Sequence, residues 1–171
     1  MRPGVVGVLR PYWLDASALV KIVHREKGSD HVQILLRSSS WFETTWLCVA
    51  EAYGVLKRLW LKKEFTEDLY HKKLYLLRSW IDDGRIRVRL AWLQPRGIDP
   101  LGAHEVRILA KKHGLDFSDA IQVLEFRTGA LAAATGPSEA VLVTSDKAFL
   151  DAARGLGIKV WNPEVDASPP A

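Results

Sequence analysis

The stretch Pro11-Tyr12-Trp13-Leu14-Asp15-Ala16-Ser17-Ala18-Leu19-Val20 decides the fold. A short apolar run closes on an acid, and helical composition then carries on to about His24. A run apolar at every position suits a strand buried on both faces, and an aspartate where such a strand meets a helix suits an N-cap. The same grammar returns near the other end of the chain. Ala140 to Thr144 is a buried strand, Ser145-Asp146 follows it, and Lys147 to Arg154 is a short helix.

Between these two units the pattern keeps alternating. A helix is expected from Asp30 to about Arg37, a strand from Phe42 to Thr45, and a long helix from Leu47 to Lys63. The capping signature Thr66-Glu67-Asp68 opens a helix to about Trp80. After the turn Asp83-Gly84, Ile86-Arg87-Val88-Arg89-Leu90 alternates as a half-exposed strand does. Pro95, Gly97 and Pro100 mark a loop, Leu101 to His113 is a helix ended by Gly114, and Asp116 opens a helix to about Ala134, before Gly136-Pro137. Ile158 to Trp161 is the last strand. About five strands separated by helices predict an α/β fold in three layers, with a mainly parallel sheet covered on both faces. Residues 1–10 read as an N-terminal extension, 11–161 as a single domain and 162–171 as a flexible tail.

Composition bounds the function. The 171 residues are 48% hydrophobic and 26% charged, which excludes wholesale disorder, collagen and coiled coil. The net charge of +4 permits a polyanionic partner without requiring one. Cys48 is the only cysteine, so an intrachain disulfide and a cysteine-based zinc knuckle are excluded, and a small buried hydrophobe is the expected role. The five histidines show no zinc spacing. Neither a signal peptide nor a membrane-spanning run is evident, so the cytoplasm is the expected location. The seven tryptophans are expected mostly in the core, with some at a protein interface.

The acids carry the chemistry. Asp15 and Asp146 stand at carboxyl ends of strands, where ligands bind in open parallel sheets, although each also suits a cap. Glu51 has Leu47, Cys48, Gly54 and Val55 as its helical neighbours and no basic partner, which suggests a carboxylate facing an apolar stripe. Asp116 and Asp119 project from one side of a helix start, and Asp119 has no basic residue three or four positions away. Unpaired carboxylates converging at one sheet edge repel, and a divalent cation relieves them; all-oxygen ligands select Mg²⁺ or Mn²⁺, the usual agents of phosphodiester cleavage. Between Lys57 and Arg89, ten Lys or Arg face five acids. Lys57, Arg58, Lys62 and Lys63 are the candidate phosphate-binding residues within that run, which also suits a solvated face.

Leu14-Asp15-Ala16-Ser17, Ala50-Glu51-Ala52, Gly114-Leu115-Asp116-Phe117-Ser118-Asp119-Ala120 and Val143-Thr144-Ser145-Asp146, in this order, resemble the PIN-domain nucleases. Among these, they resemble the VapC-type toxins of bacterial toxin-antitoxin pairs. The resemblance covers about residues 11–161. It implies a PIN-like α/β/α fold and an endoribonuclease that cuts RNA through a carboxylate-bound Mg²⁺ or Mn²⁺ and an activated water. Asp15, Glu51, Asp119 and Asp146 then bind the metal, with Ser17, Thr144 and the variable extra acid Asp116 in support. It also implies a cognate antitoxin and a homodimer. Two departures stand out: about fourteen residues precede Asp15, and residues 128–139 lengthen the stretch before Asp146. The alternatives are a PIN nuclease of RNA maturation or of structured nucleic acids, and a non-catalytic PIN interaction module. A phosphoacceptor receiver fits poorly, because it needs an adjacent acidic pair after the first strand and Asp15 is flanked by Leu14 and Ala16.

Overall fold

The computed structural model describes residues 10–38, 41–89, 100–128 and 140–170. Its strands are β1 (Pro11–Leu14), β2 (Trp41–Thr45), β3 (Ile86–Arg89), β4 (Val141–Val143) and β5 (Lys159–Trp161). Its helices are α1 (Ala16–Val23), α2 (Ser29–Leu36), α3 (Trp46–Leu61), α4 (Glu67–Asp82), α5 (Pro100–His113), α6 (Phe117–Thr128) and α7 (Lys147–Gly155). The helix expected to reach Ala134 is described to Thr128, and the remainder of the 128–139 stretch lies outside the described residues, as do Trp92 and residues 1–9 of the N-terminal extension.

All five strands are parallel, in the order β3-β2-β1-β4-β5. The pleat sends alternate side chains to opposite faces. Tyr12, Leu14, Phe42, Ile86, Val141 and Val143 join the core beneath α1 to α4, whereas Trp13 and Leu142 join a second core beneath α5 to α7. The architecture is therefore the three-layer, PIN-like arrangement that the sequence predicts. Strands β2 and β3 lie to one side of β1, and β4 and β5 to the other. The order reverses at β1, which leaves a crevice at the carboxyl ends of β1 and β4.

Local chemistry explains the element ends. Thr45 accepts from Cys48 N at 3.1 Å and caps α3, and Thr66 caps α4. Gly114 has the left-handed φ of 65° that ends α5, as expected. Cys48 is fully buried, as expected, and burial, with Asp15 nearby, pushes its thiol up to about 12. Such a thiol is inert as a nucleophile. The tryptophans divide: Trp13 and Trp161 are core, while Trp46 is exposed.

The chain beyond β5, expected to fray, makes defined contacts in the structure. Trp161 Nε1 donates to Asp166 O at 3.0 Å, His31 Nδ1 meets Pro163 O at 2.8 Å, and Arg10 pairs with Pro170 O. Gly28, at φ 83°, lets the backbone of Pro163 approach so closely that a Cβ there would stand 2.6 Å from Pro163 O. Beneath this segment Lys21 is only 2% exposed, and its ammonium meets Glu26 and Glu164 at 2.7 Å each.

Removing both acids strands a buried charge, whereas replacing the lysine by an apolar chain of similar length does not. Lys21→Met should therefore stay within about 1 kcal/mol of wild type, and the Glu26→Gln/Glu164→Gln double variant should lose about 3–5 kcal/mol. Urea unfolding compares them, and equal losses would mean that packing rather than pairing holds this corner.

Candidate active-site cleft

Asp15 is placed by β1 and fixed from three sides. Its backbone N donates to Val143 O, which ties it to the neighbouring strand. Its Oδ2 accepts Thr144 Oγ1 at 2.7 Å and Ser17 Oγ at 3.0 Å, and its Oδ1 accepts Gln122 Nε2 at 3.2 Å. Ser17 Oγ also accepts from Ser145 N at 2.9 Å, and Thr144 Oγ1 from Asp146 N at 3.1 Å. The two expected supporting hydroxyls thus join the start of α1 to the end of β4. Helix caps and candidate site residues coincide here. Asp15 and Asp146 cap α1 and α7, and Asp116 accepts from Asp119 N at 2.8 Å in the first turn of α6.

Asp15, Glu51, Asp116, Asp119 and Asp146 all line one open cleft of about 840 Å³, together with Ser17, Lys21, Arg58, Ser145 and Glu164. Among the described residues no histidine lines it. Burial, reinforced by Asp116, Asp15, Asp146 and Glu51, pushes the Asp119 carboxyl up to about 8. Partial desolvation in the cleft also raises Glu51, with Asp15 and Asp116 adding to the effect and a hydrogen bond from Ser118 opposing it.

Glu51 departs from expectation. It does not face an apolar stripe but is open to solvent, and Ser118 Oγ of α6 donates to its Oε1. Counting neighbours along its own helix misses a donor from another. Of the four basic candidates, Arg58 alone lines the cleft; Lys57, Lys62 and Lys63 are exposed outside it. A stripe of period 3.6 through Glu51, Val55 and Arg58 explains this, since Lys57 and Lys63 fall off it and Lys62 lies one turn further along.

Two lining groups, Lys21 and Glu164, and one buried group behind the acids, Gln122, escaped the sequence reading. Lys21 lies within an apolar helix, and its acids come from other segments. Glu164 belongs to the presumed tail, and its carboxyl is held below the usual range chiefly by the hydrogen bond from Lys21. Gln122 stands three residues after Asp119, a spacing that places it on the same helix face. That signal was readable in the sequence.

The donor set fits a hard divalent cation in kind: carboxylate oxygens from four elements, no histidine or cysteine ligand among the described residues, and an Asp119 raised by burial and by its acidic neighbours. Among the described residues no three of these side chains already stand as a closed ligand group.

No family model matches this chain, and no curated protein does. Among solved structures, PAE2754 from Pyrobaculum aerophilum is similar, with a TM-score of 0.58 and 20% identity over 84% of this chain and 80% of that one. FitAcB from Neisseria gonorrhoeae aligns with a TM-score of 0.48 and 18% identity over 91% and 99% of the respective chains. At this identity the first likeness bears on the fold alone. Among the described residues no helix is long and apolar enough to cross a membrane.

Proposed function

We propose that this protein is a metal-dependent endoribonuclease, acting as the toxin of a toxin-antitoxin pair. The observation that carries the reading is the gathering of Asp15, Glu51, Asp119 and Asp146, from four separate elements, around one open cleft at the carboxyl edge of a parallel sheet. Burial raises Asp119 most, and repulsion from the neighbouring acids adds to it; a cation would relieve that repulsion. These four acids would hold Mg²⁺ or Mn²⁺, with Asp116 at the rim. When bound, such an ion supplies charge neutralisation at the phosphoryl oxygens and activation of the attacking water. Ser17 and Thr144 keep Asp15 oriented, and without the cation Asp119 holds a proton near neutral pH that metal binding would displace. Arg58 offers a strand a phosphate contact on the cleft wall, with Lys62 further along the same stripe.

The antitoxin and a homodimer belong to the same proposal. Exposed Leu69 and Leu76, seven residues apart on α4, share one helix face and offer a protein partner an apolar contact. Cleavage of total RNA by the purified protein with Mg²⁺ or Mn²⁺, against an EDTA control and with mapped ends, tests the activity. Defined ends that vanish with EDTA are expected; intact RNA under every metal condition would leave a non-catalytic interaction module.

The basic stripe has its own test. Each phosphate contact to a single strand contributes about 0.7 to the slope of log affinity against log salt. Arg58→Ala should weaken RNA binding across sequences and flatten that slope by about this amount, whereas Lys57→Ala/Lys63→Ala should change it less. Filter binding at several salt concentrations measures both, and the reverse ranking would place the strand on the other face of α3.

A further inference from the structure

Between Asp15 and Asp119 stands a side chain that the four acids do not account for. Gln122 is 1% exposed on α6, and its amide nitrogen lies 3.2 Å from Asp15 Oδ1 and 3.5 Å from Asp119 Oδ1. A primary amide has two hydrogens, and two acceptors take both. The orientation follows, because an amide turned over would aim its oxygen at two carboxylates. It has a cost: Gln122 Oε1 is buried and finds no hydrogen-bond partner among the described residues. Methionine, of similar volume, would fill this position without an orphaned carbonyl. The glutamine is therefore there for its donors.

The two acids depend on it unequally. Asp15 Oδ2 is already held by Ser17 and Thr144, so the amide orients the other oxygen. For the carboxylate of Asp119, Gln122 is the sole hydrogen-bond donor among the described residues.

We propose that Gln122 is a positioning residue of the acidic centre: with one amide hydrogen on each carboxylate, it links Asp15 of the first strand–helix junction to Asp119 of α6 and presents both, already aimed, to the cation. This rests on the metal reading of the cleft. Each carboxylate oxygen keeps a second lone pair, so the amide contact and a metal bond are compatible. Partners behind metal ligands typically matter about 10–100-fold in metal affinity.

The test uses the full chain and Mn²⁺ as the probe. Gln122→Met keeps the volume and loses the donors. It should melt close to wild type without metal yet bind Mn²⁺ about 10–100-fold more weakly, as followed by the signal of free Mn²⁺ in electron paramagnetic resonance. Wild-type affinity in the variant would overturn the proposal. A second arm needs neither metal nor this variant to fold. In ¹⁵N spectra of the metal-free protein, the Gln122 side-chain amide pair should shift in Asp15→Asn and in Asp119→Asn, and a pair indifferent to both would overturn the bridge. If wild type takes up no Mn²⁺, the metal reading fails by itself, and the amide bridge stands or falls on the spectra.

Discussion

Asp119→Asn should lower RNA cleavage by about a hundredfold or more while leaving the fold intact. An amide in place of the carboxylate removes a negative ligand oxygen and the charge that balances a divalent cation, and groups merely behind the ligands already matter about 10–100-fold. Asp15→Asn should do the same with an added cost. Its Oδ2 accepts two hydroxyls, and an amide nitrogen placed there would meet donors instead. Growth on induction gives a cellular readout: wild type should arrest it and Asp119→Asn should not. Arrest by both would mean that binding rather than cleavage is toxic.

The same substitution should make the metal-free protein more stable, by an amount that depends on pH. Asp119 carries a folded-state pKa of about 8, whereas an unfolded aspartate titrates near 3.9. Between these values the folded protein holds a proton that the unfolded chain has released. Stability therefore falls as pH rises from about 4 to about 8, and levels off above. The Asp119→Asn variant has no proton to lose at this position, so its advantage is small at pH 4 and largest near pH 8.5. Discounted for partial exposure, it is roughly 1–3 kcal/mol there. Thermal melts in EDTA across pH measure it. A constant offset would mean that Asp119 is not desolvated beside its acidic neighbours. Because a metal needs the ionised carboxylate, Mn²⁺ affinity of the wild type should rise over the same interval.

Much of this was legible in the chain, for identifiable reasons. Wholly buried parallel strands read as unbroken apolar runs, so Tyr12 to Leu14 and Val141 to Val143 stood out, and the aspartates following them fell at helix starts by simple adjacency. What stayed hidden depends on contacts between segments distant in sequence. Lys21 looks like one cation in an apolar helix until Glu164 is brought to it from the far end of the chain. Asn162 and Pro163 suggest fraying, but the backbone at Pro163 packs on Gly28. Ser118 meets Glu51 across two helices, which no count along either one reveals. The count of ten cations from Lys57 to Arg89 is blind to direction, and only the helical period separates Arg58 from Lys57.

Direct Mn²⁺ binding at pH 8.5, by calorimetry on wild type, Asp15→Asn and Asp119→Asn, bears most closely on the acidic cleft as a metal centre. Saturable uptake by wild type, with affinity at least about tenfold weaker in each variant, is the predicted result. Equal affinity in all three proteins would place the metal elsewhere, and no uptake by wild type would contradict the account outright.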